Sequence, residues 1–169
     1  MLDRLALPGQ VVVIADVQPE PDTVNLTAAI AAARAVDPDL IVGFGGGSVM
    51  DVAKLVTVLR GGVPLAEVIG PNRVTARLNA LALIPTTAGT GSEVGIRALV
   101  TDAATLNKVA VESPFMLADM VALDPDLSLS SPPPPSPPPP TSTSTSTSTS
   151  TSTPWPTRSR RSPAANPTP

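Results

Sequence analysis

Ser48, Asp51 and Lys54 follow three consecutive glycines in the stretch Leu40 to Lys54, LIVGFGGGSVMDVAK. A second run, Pro85 to Glu93, sets Thr86, Thr87, Thr90 and Ser92 beside Gly89 and Gly91. Hydroxyls donate to phosphate oxygens, glycines let a ligand approach the backbone, and a lysine offsets anionic charge. Residues of these types suit the holding of a phosphate or pyrophosphate. Gly43, Gly45 and Ser48 fall at G-x-G-x-x-S, which departs from the dinucleotide fingerprint at its last position. A local explanation stands beside this one. Ser48 suits a helix N-cap and Asp51, three residues on, resembles the acid of a capping box, so helix capping alone accounts for both. Lys54 then reads as an exposed helix charge. Capping leaves the three glycines unexplained, since one suffices for the turn. The chain has no histidine and no cysteine, which excludes a Ser-His-Asp triad, imidazole or thiolate metal ligation and disulfides from its own residues.

Strands and helices must place these two runs. Leu40, Ile41, Val42 and Gly43 read as a buried strand that enters the glycine turn, and Val49, Met50, Val52 and Ala53 recur at helical spacing after it. Earlier, Met1 to Leu7 reads as the last turns of a helix stopped by Pro8-Gly9. Val11 to Val17 (VVVIADV) has the length and β-branched content of a strand. Thr23 to Val36 reads as an alanine-rich helix capped by Asp22 or Thr23, with Val24, Ala28, Ile30, Ala31 and Ala35 as its sheet-facing positions. Beyond the Gly61-Gly62 stop, Pro64 to Ile69 suits a short helical turn. Leu81 to Ile84 reads as a buried strand running into the threonine loop, and Ala98 to Thr101 and Lys108 to Val111 read as two more strands. Pro114 to Asp119 is irregular or one turn, and Met120 to Leu123 returns as a strand before Asp124-Pro125. Strands alternating with helices predict an α/β fold with a parallel sheet, in which ligands bind outside the carboxyl ends of the strands. Two such loops can then face one ligand.

The 169 residues divide sharply in composition. The first 130 hold all fourteen acidic residues and eight of the eleven basic ones, so a basic nucleic-acid footprint is absent there. No apolar run approaches the roughly 18 residues of a membrane span, and a cytoplasmic protein is expected.

Together, GGGSVMDVAK, PTTAGTGSEV and the later VALDPDLSLS resemble the iron-containing (group III) alcohol dehydrogenase family, over about Leu2 to Ser130. The resemblance implies a Rossmann-like parallel-sheet nucleotide-binding domain over residues 1–130, incomplete because family members usually start about a strand and a helix earlier. It implies NAD or NADP as cofactor, a small alcohol or aldehyde as substrate in the full-length family, and often a homo-oligomer. Gly46, Gly47 and Ser48 would lie on the pyrophosphate with Asp51 near it. Thr86, Thr87 and Thr90 would contact phosphate and ribose, and Lys108 and Leu123 would lie at the nicotinamide end. Many members carry Asn in a P-N-P-T stretch, where this chain has Glu20-Pro21-Asp22, so a polar cofactor contact is expected to be lost. The family's metal is held by an Asp and three His of a separate helical domain, which does not follow here. Metal polarisation of the alcohol oxygen is worth several kcal/mol in such chemistry, so this chain as it stands is expected to be inactive. A partial sheet with few aromatic residues is also expected to be only marginally stable.

From residue 131 onward come SPPPPSPPPP and a Thr/Ser alternation to Thr153, with Trp155 and Arg158, Arg160 and Arg161 near the end. Proline runs hold polyproline II and a Thr/Ser tract has nothing to bury, so residues 131–169 are expected to be a disordered tail. Pro154 to Arg161, read back into codons and shifted by one nucleotide, permits Met-Ala-Asp-Ala-Leu-Thr-Gln. That stretch resembles the one carrying the family's metal-binding Asp, and a reading-frame change is the expectation it raises. Two other functions stay open on the sequence: a non-catalytic binding or scaffold protein using the Pro-rich tail, and a fragment of a related glycerol dehydrogenase-like enzyme.

Overall fold

The protein is described by a computed structural model, and the structure describes residues 9–129. The readings for Met1 to Leu7 and for residues 131–169 lie outside the described residues. Helix α1 spans Thr23–Val36; the Asp22 side chain caps it by accepting from the Asn25 N–H at 2.7 Å, and Asp37 ends it in a left-handed conformation. Strand β1 is Leu40–Gly45, helix α2 Gly47–Leu59 and the short helix α3 Leu65–Val68. Strands β2 (Gly70–Pro71), β3 (Ala80–Pro85), β4 (Arg97–Thr101), β5 (Lys108–Glu112) and β6 (Met120–Val121) follow, with a 3-10 turn at Pro114–Met116.

Three parallel strands carry the site, in the order β1-β3-β6, with Leu40 opposite Ala80 and Gly45 opposite Pro85. Because all three run the same way, Gly45, Pro85 and Val121 end at one edge of the sheet, and the loops after them share that edge. A second sheet, β2-β5-β4, joins the antiparallel pair β4 and β5 to the short parallel β2.

Helix α2 is the centre of both cores. Met50 and every residue from Val52 to Leu59 are buried, Lys54 and Thr57 included, the pattern of a helix packed on all sides. Met50 and Ala53 pack on Leu81 and Leu83 of β3, while Val52, Leu55, Val56 and Leu59 belong to a core with Leu26, Ala29 and Ala33 of α1 and Ala98, Val100 and Val111 of the second sheet. Asp119 pins β6 to β3: its N–H donates to the Leu81 carbonyl and its carboxylate accepts from the Leu81 N–H at 2.8 Å. That bond, with help from Arg77, holds the Asp119 carboxyl below its ordinary range.

Three expectations need correction. Val11 to Val17 forms no strand, and Val11, Val12, Val13 and Ile14 are exposed. A strand needs a ladder partner for its backbone groups, and no described segment pairs with this run; Asp16 is tied instead through its carbonyl to the Asn25 side chain. Strand β1 is buried on one side only. Gly43 faces α2, whereas Leu40, Val42 and Phe44 point away from it and are exposed, because nothing among the described residues covers the opposite face of the sheet. On α1 the buried stripe is Leu26, Ala29 and Ala33, with Val24, Ala28, Ala31 and Ala35 exposed and Ile30 partly buried. An alanine-rich helix offers little polar contrast between its faces, so its rotation is set by close approach to α2, which small residues allow.

Candidate functional site

Helix α2 begins at the glycine turn itself. Its N-cap is Gly46, extended and without a side-chain cap, so Ser48 lies inside the first turn and the capping-box reading is overturned. An uncapped first turn leaves backbone N–H groups without intrahelical partners and a partial positive charge. The Ser48 hydroxyl instead accepts from the Glu20 N–H at 3.2 Å.

The threonine loop closes over this turn. The Thr86 N–H donates to the Gly45 carbonyl at 2.9 Å, so the two loops are joined where their strands end. A Cβ added to Gly46 would stand 3.3 Å from Thr87 Oγ1, and one on Gly47 would stand 3.3 Å from Thr90 Cγ2. The extra glycines thus let the loop approach closely: a Cβ at either place would press on the facing threonine, which would have to shift by a few tenths of an ångström. The structure thus brings Gly46, Gly47, Ser48, Thr86, Thr87 and Thr90 to one place, on opposing loops at the carboxyl edge of the sheet.

Asp51 and Lys54, one helical turn further on, grip the second loop. The Asp51 carboxylate accepts from the Ser92 hydroxyl at 2.6 Å and from the Leu99 N–H at 3.0 Å. Lys54 is fully buried, not the exposed charge expected from its position on a helix. Its ammonium donates to Ser92 Oγ, the Gly95 carbonyl and the Arg97 carbonyl at 3.1, 2.9 and 3.0 Å. Burial pushes the Lys54 pKa down, opposed by the charges of Asp51 and Glu93. Sequence reasoning missed this role because Ser92, Gly95 and Arg97 lie far along the chain, and only the fold brings them to α2.

Lys108 and Leu123 stand apart from the loops in different ways. Leu123 is exposed in the segment beyond the carboxyl end of β6, on the edge shared with the two loops. Lys108 opens β5 and pairs with Glu20 at 2.6 Å. The pairing has a topological cause. Asp22 bridges Thr101 of β4, Thr101 faces Lys108 in the ladder, and the turn preceding Asp22 is carried to the lysine. Glu20 itself adopts φ 54, a left-handed conformation that a non-glycine residue seldom takes and Asn tolerates better. The bond to Lys108 holds the Glu20 carboxyl below its ordinary range, and the Glu20 N–H reaches Ser48. A carboxylate there opposes a bound anion and occupies the lysine. Replacing Glu20 by Asn is expected to tighten binding of a dinucleotide about threefold, a small factor because the two side chains are 72% and 55% exposed and the ion pair is well screened. The gain should shrink in ~1 M salt; titration at both salt concentrations checks this, and equal affinity for both chains at low salt would refute it.

Among the described residues no three or more Asp or Glu side chains come close enough to hold a metal ion, and the chain contains no histidine or cysteine to add to them. The described residues do not fit an iron centre. Also among them, no helix is long and apolar enough to cross a membrane.

Parallel strands that end in a glycine turn and a hydroxyl-rich loop, beside an uncapped helix N-terminus, define a Rossmann-like nucleotide-binding fold. The family follows from comparison: the chain belongs to the iron-containing alcohol dehydrogenases, whose family model matches residues 2–125. It is 38% identical over 115 residues to the sulfoacetaldehyde reductase of Bilophila wadsworthia, covering 68% of this chain and 30% of that protein. To long-chain-alcohol dehydrogenase 1 of Geobacillus thermodenitrificans it is 39% identical over 122 residues, covering 70% and 30% of the two chains. Among solved structures, a 1,3-propanediol oxidoreductase superposes with a TM-score of 0.70 at 30% identity, over 73% of this chain and 32% of that one. The sulfoacetaldehyde reductase of Bifidobacterium kashiwanohense, solved in complex with NAD+, gives a TM-score of 0.64 at 29% identity, over 69% and 32%. The chain thus spans about a third of the length of these relatives.

Proposed function

We propose that residues 1–130 are the nicotinamide dinucleotide-binding part of a metal-dependent alcohol or aldehyde oxidoreductase, followed in sequence by a low-complexity stretch over residues 131–169. The observation that carries this reading is the apposition of Gly46 and Gly47 with Thr87 and Thr90 over the uncapped start of α2. There the first turn of α2, without a side-chain cap, faces the threonine loop, an arrangement that suits a pyrophosphate. In this reading Gly46, Gly47 and Ser48 hold the pyrophosphate, Thr86, Thr87 and Thr90 hold phosphate and ribose, and Lys108 and Leu123 border the nicotinamide. Asp51 acts from beside the pyrophosphate.

Catalysis by these residues alone is not part of the proposal. Hydride transfer from an alcohol needs its oxygen polarised and its hydroxyl pKa lowered, which a metal would supply in this family, and the described residues fit none. The chain is read as binding cofactor weakly and turning nothing over. A cytoplasmic location fits this reading, and the resemblance implies a family that is often homo-oligomeric. Titrating the chain with NADH and following nicotinamide fluorescence tests the reading. A saturable change in the high micromolar to millimolar range is expected, and no change at millimolar NADH would overturn it.

A further inference from the structure

Lys54 stands out because a charged group has been placed where an apolar one would be less costly. Its ammonium lies fully buried two turns into α2, between residues that otherwise form the apolar core. A buried charge is strongly unfavourable unless it is paired and hydrogen-bonded, and replacing such a group by an apolar side chain of similar volume is often neutral or stabilising. Here all three donors are used, and all three acceptors come from the segment Ser92 to Arg97. Asp51, on the same side of the helix one turn earlier, takes the Ser92 hydroxyl and the Leu99 N–H. Ser92 therefore donates to the acid and accepts from the base, and closes a bridge between them.

The residues gripped in this way follow directly after Thr90, the side chain that packs on Gly47. Gly95 passes close to the ammonium, since a Cβ there would stand 3.9 Å from Lys54 Nζ and 3.2 Å from the Gly91 carbonyl. The loop is also tied by the Thr86 N–H to the Gly45 carbonyl and by its own turns, from the Val94 N–H to the Gly91 carbonyl and from the Gly95 N–H to the Ser92 carbonyl, and its tip is exposed. Thr87, Ala88, Gly89, Thr90 and Gly91 are exposed, and Gly89 and Gly91 have positive φ. We infer that Lys54, acting through Ser92 together with Asp51, is a positioning residue that holds the Thr86–Gly95 loop at a set distance from the glycine turn and so preorganises the phosphate cradle. The inference rests on the reading of that cradle as a dinucleotide site. A ligand that bridges two loops gains affinity when their separation is set beforehand, because the ordering is not charged against binding.

The experiment compares the full 169-residue chain with its Lys54→Met and Ser92→Ala variants, by amide hydrogen exchange without cofactor and by NADH fluorescence titration. Lys54→Met is expected to speed exchange in the Thr86–Gly95 loop at least tenfold with the β3 amides of Leu81 and Leu83 unchanged. It should weaken NADH binding about tenfold while the melting temperature stays level or rises. Ser92→Ala, which leaves the core intact, is expected to give a smaller change in the same direction and covers the case in which the first variant does not fold. Loop exchange that is unchanged in every variant that folds overturns the inference, as does a loosened loop with unaltered NADH affinity. If the unsubstituted chain binds no NADH, the dinucleotide reading fails; faster loop exchange in the variants would still establish the clamp on the loop.

Discussion

Replacing Gly43 by valine is expected to cost about 3 kcal/mol of stability and to lower the melting temperature by roughly 10 °C, or to leave the chain insoluble. Gly43 is the point where α2 lies closest to the sheet. A Cβ at that position would stand 2.7 Å from Leu83 Cδ2, 3.0 Å from Ala53 Cβ and 3.4 Å from Met50 Cα. Leu83 and Met50 are completely buried, so neither can swing aside into solvent. Valine adds two further carbons beyond that Cβ, and they can be accommodated only if the helix moves off the sheet. Movement of α2 disturbs everything else, because the same helix packs on α1 and on β4. The comparison is Val42→Ala on the same strand, where the side chain is half exposed on the open face and the loss should stay within ~1 kcal/mol. Thermal denaturation followed by circular dichroism separates the two, and equal melting temperatures would show that the helix is not seated as described.

The second large effect is on binding. Gly47→Val is expected to weaken NADH binding by about 100-fold while the melting temperature changes by only a few degrees. The Cβ at this position meets Thr90 at 3.3 to 3.4 Å, and Thr90 lies on an exposed loop that can yield by a few tenths of an ångström. The branched methyls then push the loop outward and stand over the first N–H groups of α2. Two charge-assisted hydrogen bonds to a phosphate, each worth about 1.5 kcal/mol or more, are lost together, which amounts to roughly two orders of magnitude in affinity. Gly47→Ala, which adds the Cβ alone, should lose much less. Fluorescence titration with NADH and a thermal melt of each variant form the check; a Gly47→Val chain that binds as tightly as the unsubstituted one would remove the first turn of α2 from the site.

These expectations differ in kind, and so does their origin. The order of elements was legible because local signals agreed. Thr23–Val36 is a helix with the expected Asp22 cap, Ala80–Pro85 is a strand running into the threonine loop, and the two strands expected at Ala98 to Thr101 and Lys108 to Val111 form as Arg97–Thr101 and Lys108–Glu112. The two motifs were legible for the same reason, since glycine and hydroxyl residues clustered at strand ends have few other uses, and they were sufficient to indicate the family. Failure came wherever a neighbour distant in sequence decides the outcome. Val11 to Val17 has the composition of a strand, yet a strand exists only in a ladder, and the described residues supply no partner. Alanine on every side of α1 concealed which side would be buried.

The site divides along the same line. Residue types and spacing alone determined that this chain carries a strand, a glycine turn and a helix start, with no histidine or cysteine to ligate a metal. Only the tertiary structure decided what Ser48, Asp51, Lys54 and Glu20 do. Ser48 and Asp51 satisfy a local capping pattern and are used otherwise, because the Glu20 N–H and the Ser92 hydroxyl reach them from other parts of the chain. Lys54 taken by residue type reads as an exposed helix charge, and is buried because a returning loop brings three acceptors to its ammonium. Local sequence can specify a conformation, since caps, turns and periodicity act over a few residues. The partner of a buried charge is set by contacts across the fold.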